Sequence, residues 1–189
     1  MAQKLILIGA STGGPGHLKK LLKNVKLNGA IIVIAQHMNK MFINSFAMQI
    51  GKECGLDVEI LNERKILKEN TVYVCEQNVV VSPNLPISAK PNTEEKTIYT
   101  PNVDVLFKSG VGICKSANVL AILLTGIGDD GAAGLDKLYK AGAKCIAENE
   151  ESAIVYGMPK RAKELNQSLK SLNLTMIKKE MEDFLNATN

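Results

Sequence analysis

No stretch of the 189-residue sequence approaches the roughly 20 consecutive apolar residues that a membrane-spanning helix needs. The apolar run at the amino terminus, Leu5-Ile-Leu-Ile8, is too short for a signal-peptide core, and no cleavage site follows it. A cytoplasmic protein without membrane insertion is expected. The four cysteines, at 54, 75, 114 and 145, include no Cys-x-x-Cys pair. They read as reduced, mostly buried thiols rather than a disulfide framework, and no Cys/His cluster exists to hold zinc. Histidine is nearly absent too: His17 and His37 are the only candidates for an imidazole base. Acids are missing from the whole first quarter, where seven lysines precede the first carboxylate, Glu53. That excess reads either as a solvated helix face or as a surface attracting an acidic protein partner. The net charge of +4 is too modest to imply nucleic acid.

What is present fits one globular domain spanning 1–189. Apolar residues make up 46% and charged residues 22%, enough of both for a core and a solvated surface. Lys4–Ile8 and Ala30–Ala35 read as buried strands, with helices predicted after Pro15 and over Met41–Gly51. Short strand candidates then crowd the middle at Thr71–Cys75, Asn78–Ser82, Ile87–Lys90 and Thr97–Tyr99, suggesting a hairpin-rich antiparallel insert. The alternation resumes with a helix near Val103–Ser116, a strand at Val119–Thr125, a helix at Ala132–Ala141 and a strand at Lys144–Ala147. A surface helix at Met176–Leu185 closes the list. The fold class is α/β: a doubly wound, mostly parallel sheet flanked by helices.

Between the first strand and its helix lies Gly9-Ala-Ser-Thr-Gly-Gly-Pro15, where a parallel sheet places its ligand site. A dinucleotide fingerprint would need glycine where Ser11 stands, and a Walker loop would need lysine where Pro15 stands. Gly9-x-Ser11-x-Gly13 does fit a nucleophile elbow. The plainer reading makes Ser11 or Thr12 a helix cap. A module that holds phosphate or nucleotide without chemistry is the rival of another class.

A nucleophilic serine needs a base and an orienting acid. His17 lies in the first helix after Ser11 and reads as an exposed helical residue. His37 follows the second strand, on the sheet edge from which Ser11 also emerges. No acid precedes His37, so the acid must follow it in the chain. Leu124-Thr-Gly-Ile-Gly-Asp-Asp-Gly-Ala-Ala-Gly134 again empties a strand into a glycine-rich loop and a helix. Asp129 and Asp130 are equally eligible there, and one of them is expected to cap the helix that follows. Glu148, Glu150 and Glu151 are weaker candidates.

With Gln36-His37-Met38, Pro101–Phe107 and Tyr156-Gly-Met-Pro159, these segments resemble the catalytic domain of CheB-type chemotaxis methylesterases, in order, from about residue 4 to 165. The resemblance implies a triad of Ser11 as nucleophile, His37 as general base and Asp130, rather than Asp129, as acid. It implies no metal or organic cofactor. The implied substrates are γ-glutamyl methyl esters on the cytoplasmic helices of methyl-accepting chemotaxis receptors, with deamidation of glutamines in some members. Oxyanion donors are expected among the amides near Ser11–Gly14, and a monomer is expected. Two departures stand out. Ile127 occupies a position where the family usually has methionine, so packing at the site is expected to differ. The receiver domain common in the family has no counterpart in these residues, so activity without phosphorylation is expected.

Overall fold

The amino-terminal apolar run forms a strand, β1 (Lys4–Ala10), whose residues Leu5 to Ile8 are wholly buried. The computed structural model describes residues 3–188. After β1 come α1 (Gly14–Leu22), β2 (Ile31–Gln36), α2 (Lys40–Cys54), β3 (Asp57–Leu61), β4 (Lys65–Ile66), β5 (Thr71–Cys75), β6 (Val79–Val81) and β7 (Ser88–Pro91). The second half contains α3 (Val103–Gly110), a 3₁₀ turn at Val111–Lys115, β8 (Asn118–Leu123), α4 (Ala132–Lys140), β9 (Lys144–Glu148), α5 (Met158–Leu165), β10 (Lys170–Leu172) and α6 (Leu174–Asn186).

Seven strands build a parallel sheet in the order β10-β9-β8-β1-β2-β5-β3. Alternate side chains of β1 feed two cores, as the two-residue period requires. Ile6 and Ile8 meet Leu18 and Leu21 of α1, Ile43 and Ile50 of α2, and Ile177 and Met181 of α6 in one cluster. Leu5 and Leu7 belong to the opposite cluster, with Leu106 and Phe107 of α3, Leu135 and Leu138 of α4, and Ala162 of α5. A strand buried on both faces needs a continuous apolar run, which β1, β2 and β8 have. A small antiparallel sheet, β4-β7-β6, lies beside the main one, its Val79, Val81 and Ala89 in the same cluster as Leu5.

Several expectations need correction. Thr71–Cys75 is a strand, but it belongs to the main parallel sheet beside β2 rather than to the antiparallel insert. Thr97–Tyr99 forms no strand, because the Thr97 hydroxyl donates to Tyr99 O (2.7 Å) and accepts from Asn78 Nδ2 (2.9 Å). The helix expected over Val103–Ser116 tightens into the 3₁₀ turn after Gly110. The carboxyl-terminal helix buries Ile177, Met181, Phe184 and Leu185, so only one side of it is surface. His17, read as exposed, is buried (5%).

Candidate active site

Chain order reverses at β1: β2 pairs on one side and β8 on the other. The loops leaving these three strands at their carboxyl ends carry Ser11, His37 and Asp130. Both the Ser11 loop and the Asp130 loop end on a left-handed glycine that starts a helix. Gly13 (φ 84°) precedes α1 and Gly131 (φ 86°) precedes α4. A side chain at either would be strained by that φ. Its Cβ would also strike Ile154 at 2.6 Å or Val103 at 2.6 Å, respectively.

The loops are tied to one another through backbone groups. Ser11 N donates to Thr125 O (2.9 Å), and His37 N to Ala10 O (2.9 Å). The buried Gln36 amide spans two loops, its Nε2 donating to Ser11 O (2.9 Å) and to His37 O (2.9 Å). Beneath Ser11 lies Gly126, where an added Cβ would come within 2.7 Å of the Ser11 Cβ.

His37 and Asp130 are in direct contact, Nε2 to Oδ2, at 2.6 Å, with side chains only 8% and 4% exposed. Little water reaches the pair, so its charge-assisted bond is strong. The Asp130 carboxylate also accepts from Val103 N (2.8 Å, Oδ2) and Asp104 N (2.8 Å, Oδ1). Those are the first amides of α3, a helix end that favours an anion. Asp130 therefore caps α3, and neither aspartate side chain caps α4, where one of the two was expected to. Asp104 completes an exchange, its Oδ1 accepting from Gly134 N of α4 (2.7 Å). Asp129 is exposed and has no part in this arrangement. The carboxylate fixes the proton of His37 on Nε2, leaving the lone pair on Nδ1. That nitrogen is buried and has no hydrogen-bond partner among the described residues. The usual serine-protease arrangement has the acid on Nδ1; here the ring is used from its other nitrogen. Tyr99 stacks on one face of the imidazole.

On the far side of Ser11 a second histidine–carboxylate pair is buried. Glu148, wholly buried, contacts His17 Nδ1 (3.0 Å) and accepts from Thr125 N (2.8 Å) and the Ser152 hydroxyl (2.7 Å). Thr125 passes this support onward, its hydroxyl donating to Thr12 O (2.9 Å). Glu150 and Glu151, also weighed as acids, take no part in the His37 contacts. The segment around Tyr156-Gly-Met-Pro159 closes the Gly126 loop: Gly126 N donates to Val155 O (3.0 Å) and Met158 N to Gly126 O (2.9 Å). Ile127 is 57% exposed, so isoleucine in place of methionine changes surface rather than internal packing. Gln36, Tyr99, Asp104 and Thr125 were not singled out from sequence. Gln36, Asp104 and Thr125 lie within the matched segments but have no spacing that marks them as site residues, and Tyr99 lies outside those segments. The cysteines stay apart from the site, and burial pushes the Cys145 thiol up to about 12.

Fold and site define a doubly wound α/β protein with a serine, a histidine and an aspartate gathered at the carboxyl edge of its sheet. The chain belongs to the CheB methylesterase family, whose model matches residues 6–181. It is 36% identical over 171 residues to a protein-glutamate methylesterase/protein-glutamine glutaminase of Carboxydothermus hydrogenoformans, covering 85% of this chain and 47% of that protein. A Salmonella typhi protein of the same name is 32% identical over 189 residues, covering 95% and 52%. The chain thus spans about half the length of these curated relatives. The crystal structure of the Thermotoga maritima CheB methylesterase catalytic domain superposes with a TM-score of 0.88 at 29% identity, covering 97% of this chain and 99% of that one.

Proposed function

We propose that residues 1–189 form a single catalytic domain that hydrolyses protein γ-glutamyl methyl esters, with Ser11 as nucleophile, His37 as general base and Asp130 as orienting acid. The observation that carries this reading is the 2.6 Å His37–Asp130 contact, which leaves a buried, unpartnered Nδ1 on a histidine whose backbone is hydrogen-bonded to Ala10, next to Ser11. Ser11 Oγ attacks the ester carbonyl carbon while Nδ1 takes its proton. Asp130 stabilises the imidazolium through Nε2. The carbon–methoxy bond breaks, the leaving oxygen takes the proton from Nδ1, and methanol departs. A water then gives Nδ1 its proton and attacks the acyl carbon; Ser11 recovers a proton and glutamate is released. The amides of Thr12 and Gly13 donate no hydrogen bond among the described residues, which suits them to a developing oxyanion. On a glutamine the same steps release ammonia, and the relatives' double name supports both substrates.

The natural substrates in this reading are cytoplasmic helices of chemotaxis receptors, engaged by a monomer in the cytoplasm. Exposed Ile98, Ile127 and Ile154 offer apolar surface for such a helix, and four unpaired cysteines suit a reducing compartment. The test is methanol release from carboxyl-methylated receptor membranes. Ser11→Ala and His37→Ala should each remove nearly all activity, and the double variant little more, because triad members act as a unit. Additive losses, or a fully active Ser11→Ala, would refute the reading.

A further inference from the structure

One face of the His37 imidazole is covered by an aromatic ring. Tyr99 lies 4.5 Å away, centroid to centroid, with the two planes only 11° apart. The segment that carries Tyr99 has no regular structure, yet it is firmly held. Buried Asn78 donates from Nδ2 to Glu95 O (3.0 Å) and Thr97 Oγ1 (2.9 Å), and its Oδ1 accepts from Asn102 N (2.9 Å). Thr97 in turn donates to the carbonyl of Tyr99 itself (2.7 Å). One asparagine thus fixes the loop on both sides of the tyrosine.

The face of an aromatic ring is negative and attracts a cation above it. In the proposed mechanism His37 becomes a cation when it takes the proton of Ser11, and again when it takes that of the attacking water. Asp130 meets that charge at the ring edge. Of the other charged groups on this side, Lys40 pairs with Glu76, Asp104 with Lys108 and Arg161 with Glu164, while Lys96 and Asp129 line the cleft beside Tyr99 and Asp130. Tyr99 meets one face of the ring. We propose that Tyr99 is a positioning residue of the esterase, holding the imidazole plane and stabilising the imidazolium formed in the transition state. The inference rests on His37 being the base.

An interaction that strengthens only in the transition state changes kcat and not KM. With a γ-glutamyl methyl ester peptide as substrate, Tyr99→Leu should lower kcat by about 3- to 30-fold, the range a cation–π contact spans from exposed to desolvated. KM should be unchanged, and Tyr99→Phe should stay within about twofold, since the ring supplies the effect. The sharper measurement replaces residue 99 by phenylalanines bearing one, two and three fluorines. Each fluorine drains the ring face at nearly constant size, so log kcat should fall stepwise. A side chain that merely fills space would give a flat series. A flat series, or unchanged kcat in Tyr99→Leu, overturns this proposal while leaving the triad reading intact. Full activity in His37→Ala would instead overturn the triad reading.

Discussion

Asp130→Asn separates the two neighbouring aspartates. The native carboxylate accepts three hydrogen bonds, from His37 Nε2, Val103 N and Asp104 N. An amide has one acceptor oxygen, so one of two conflicts must follow. With its NH2 toward Asp104, a buried backbone N–H meets a donor. With its NH2 toward His37 and Val103, two donors are opposed and the imidazole is driven to the tautomer protonated on Nδ1. An unsatisfied buried donor together with the lost anion at the α3 end should cost about 2–4 kcal/mol of stability. For a domain of this size that lowers Tm by roughly 5–15 °C. The loss in turnover should be larger, on the order of 10⁴-fold, as for amidated acids of other triads. That corresponds to about 5.4 kcal/mol on the barrier. The assay is single-turnover methanol release at 25 °C, with circular dichroism confirming that the variant is folded at that temperature. Asp129→Asn, at an exposed side chain, should keep turnover within about twofold and stability within about 0.5 kcal/mol. A folded Asp130→Asn retaining more than a tenth of wild-type turnover would refute the argument. So would an equal loss in Asp129→Asn.

Other perturbations follow from the same packing. Gly126→Ala drives a Cβ against Ser11 and the buried Met158; overpacking should cost about 1–3 kcal/mol, with esterase activity falling far more than Tm alone explains. Glu148→Ala strands His17, Thr125 N and the Ser152 hydroxyl. Removing one partner of a buried pair should cost about 3–5 kcal/mol, read from the urea midpoint. Burial raises all four thiols above the ordinary range. The reactive thiolate is therefore scarce at pH 8, and iodoacetamide should label the native protein slowly and the urea-unfolded protein rapidly, as counted by mass spectrometry.

Strands buried on both faces were legible because they need unbroken apolar runs, as Leu5–Ile8 and Ile31–Ala35 show. The partner of a strand is not written locally. Thr71–Cys75 reads as a strand, yet its place beside β2 rather than in a hairpin depends on contacts far along the chain. The edge strand β3, Asp-Val-Glu-Ile-Leu, is half-exposed and lacks the signature of a buried one. At the site, Ser11 and His37 stood out through loop position and the scarcity of histidine. Residues alone left Asp129 and Asp130 equal, and the family resemblance favoured Asp130. In three dimensions the amides of α3, brought from another part of the chain, meet only Asp130. His17 looked solvent-facing because its partner, Glu148, lies 131 residues away.

The reversal of strand order at β1 has a consequence for synthesis. β1 finds its first neighbour as soon as Ile31–Gln36 emerges, but its other edge waits for β8, which begins at Asn118. At ordinary ribosomal speed the interval is on the order of ten seconds. During it, an apolar strand with an unpaired row of N–H and C=O groups is open to any passing chain. A ribosome stalled, or a gene truncated, before the codon for Asn118 should yield an aggregating product rather than a smaller folded one, while chains extended through Leu123 can close the sheet.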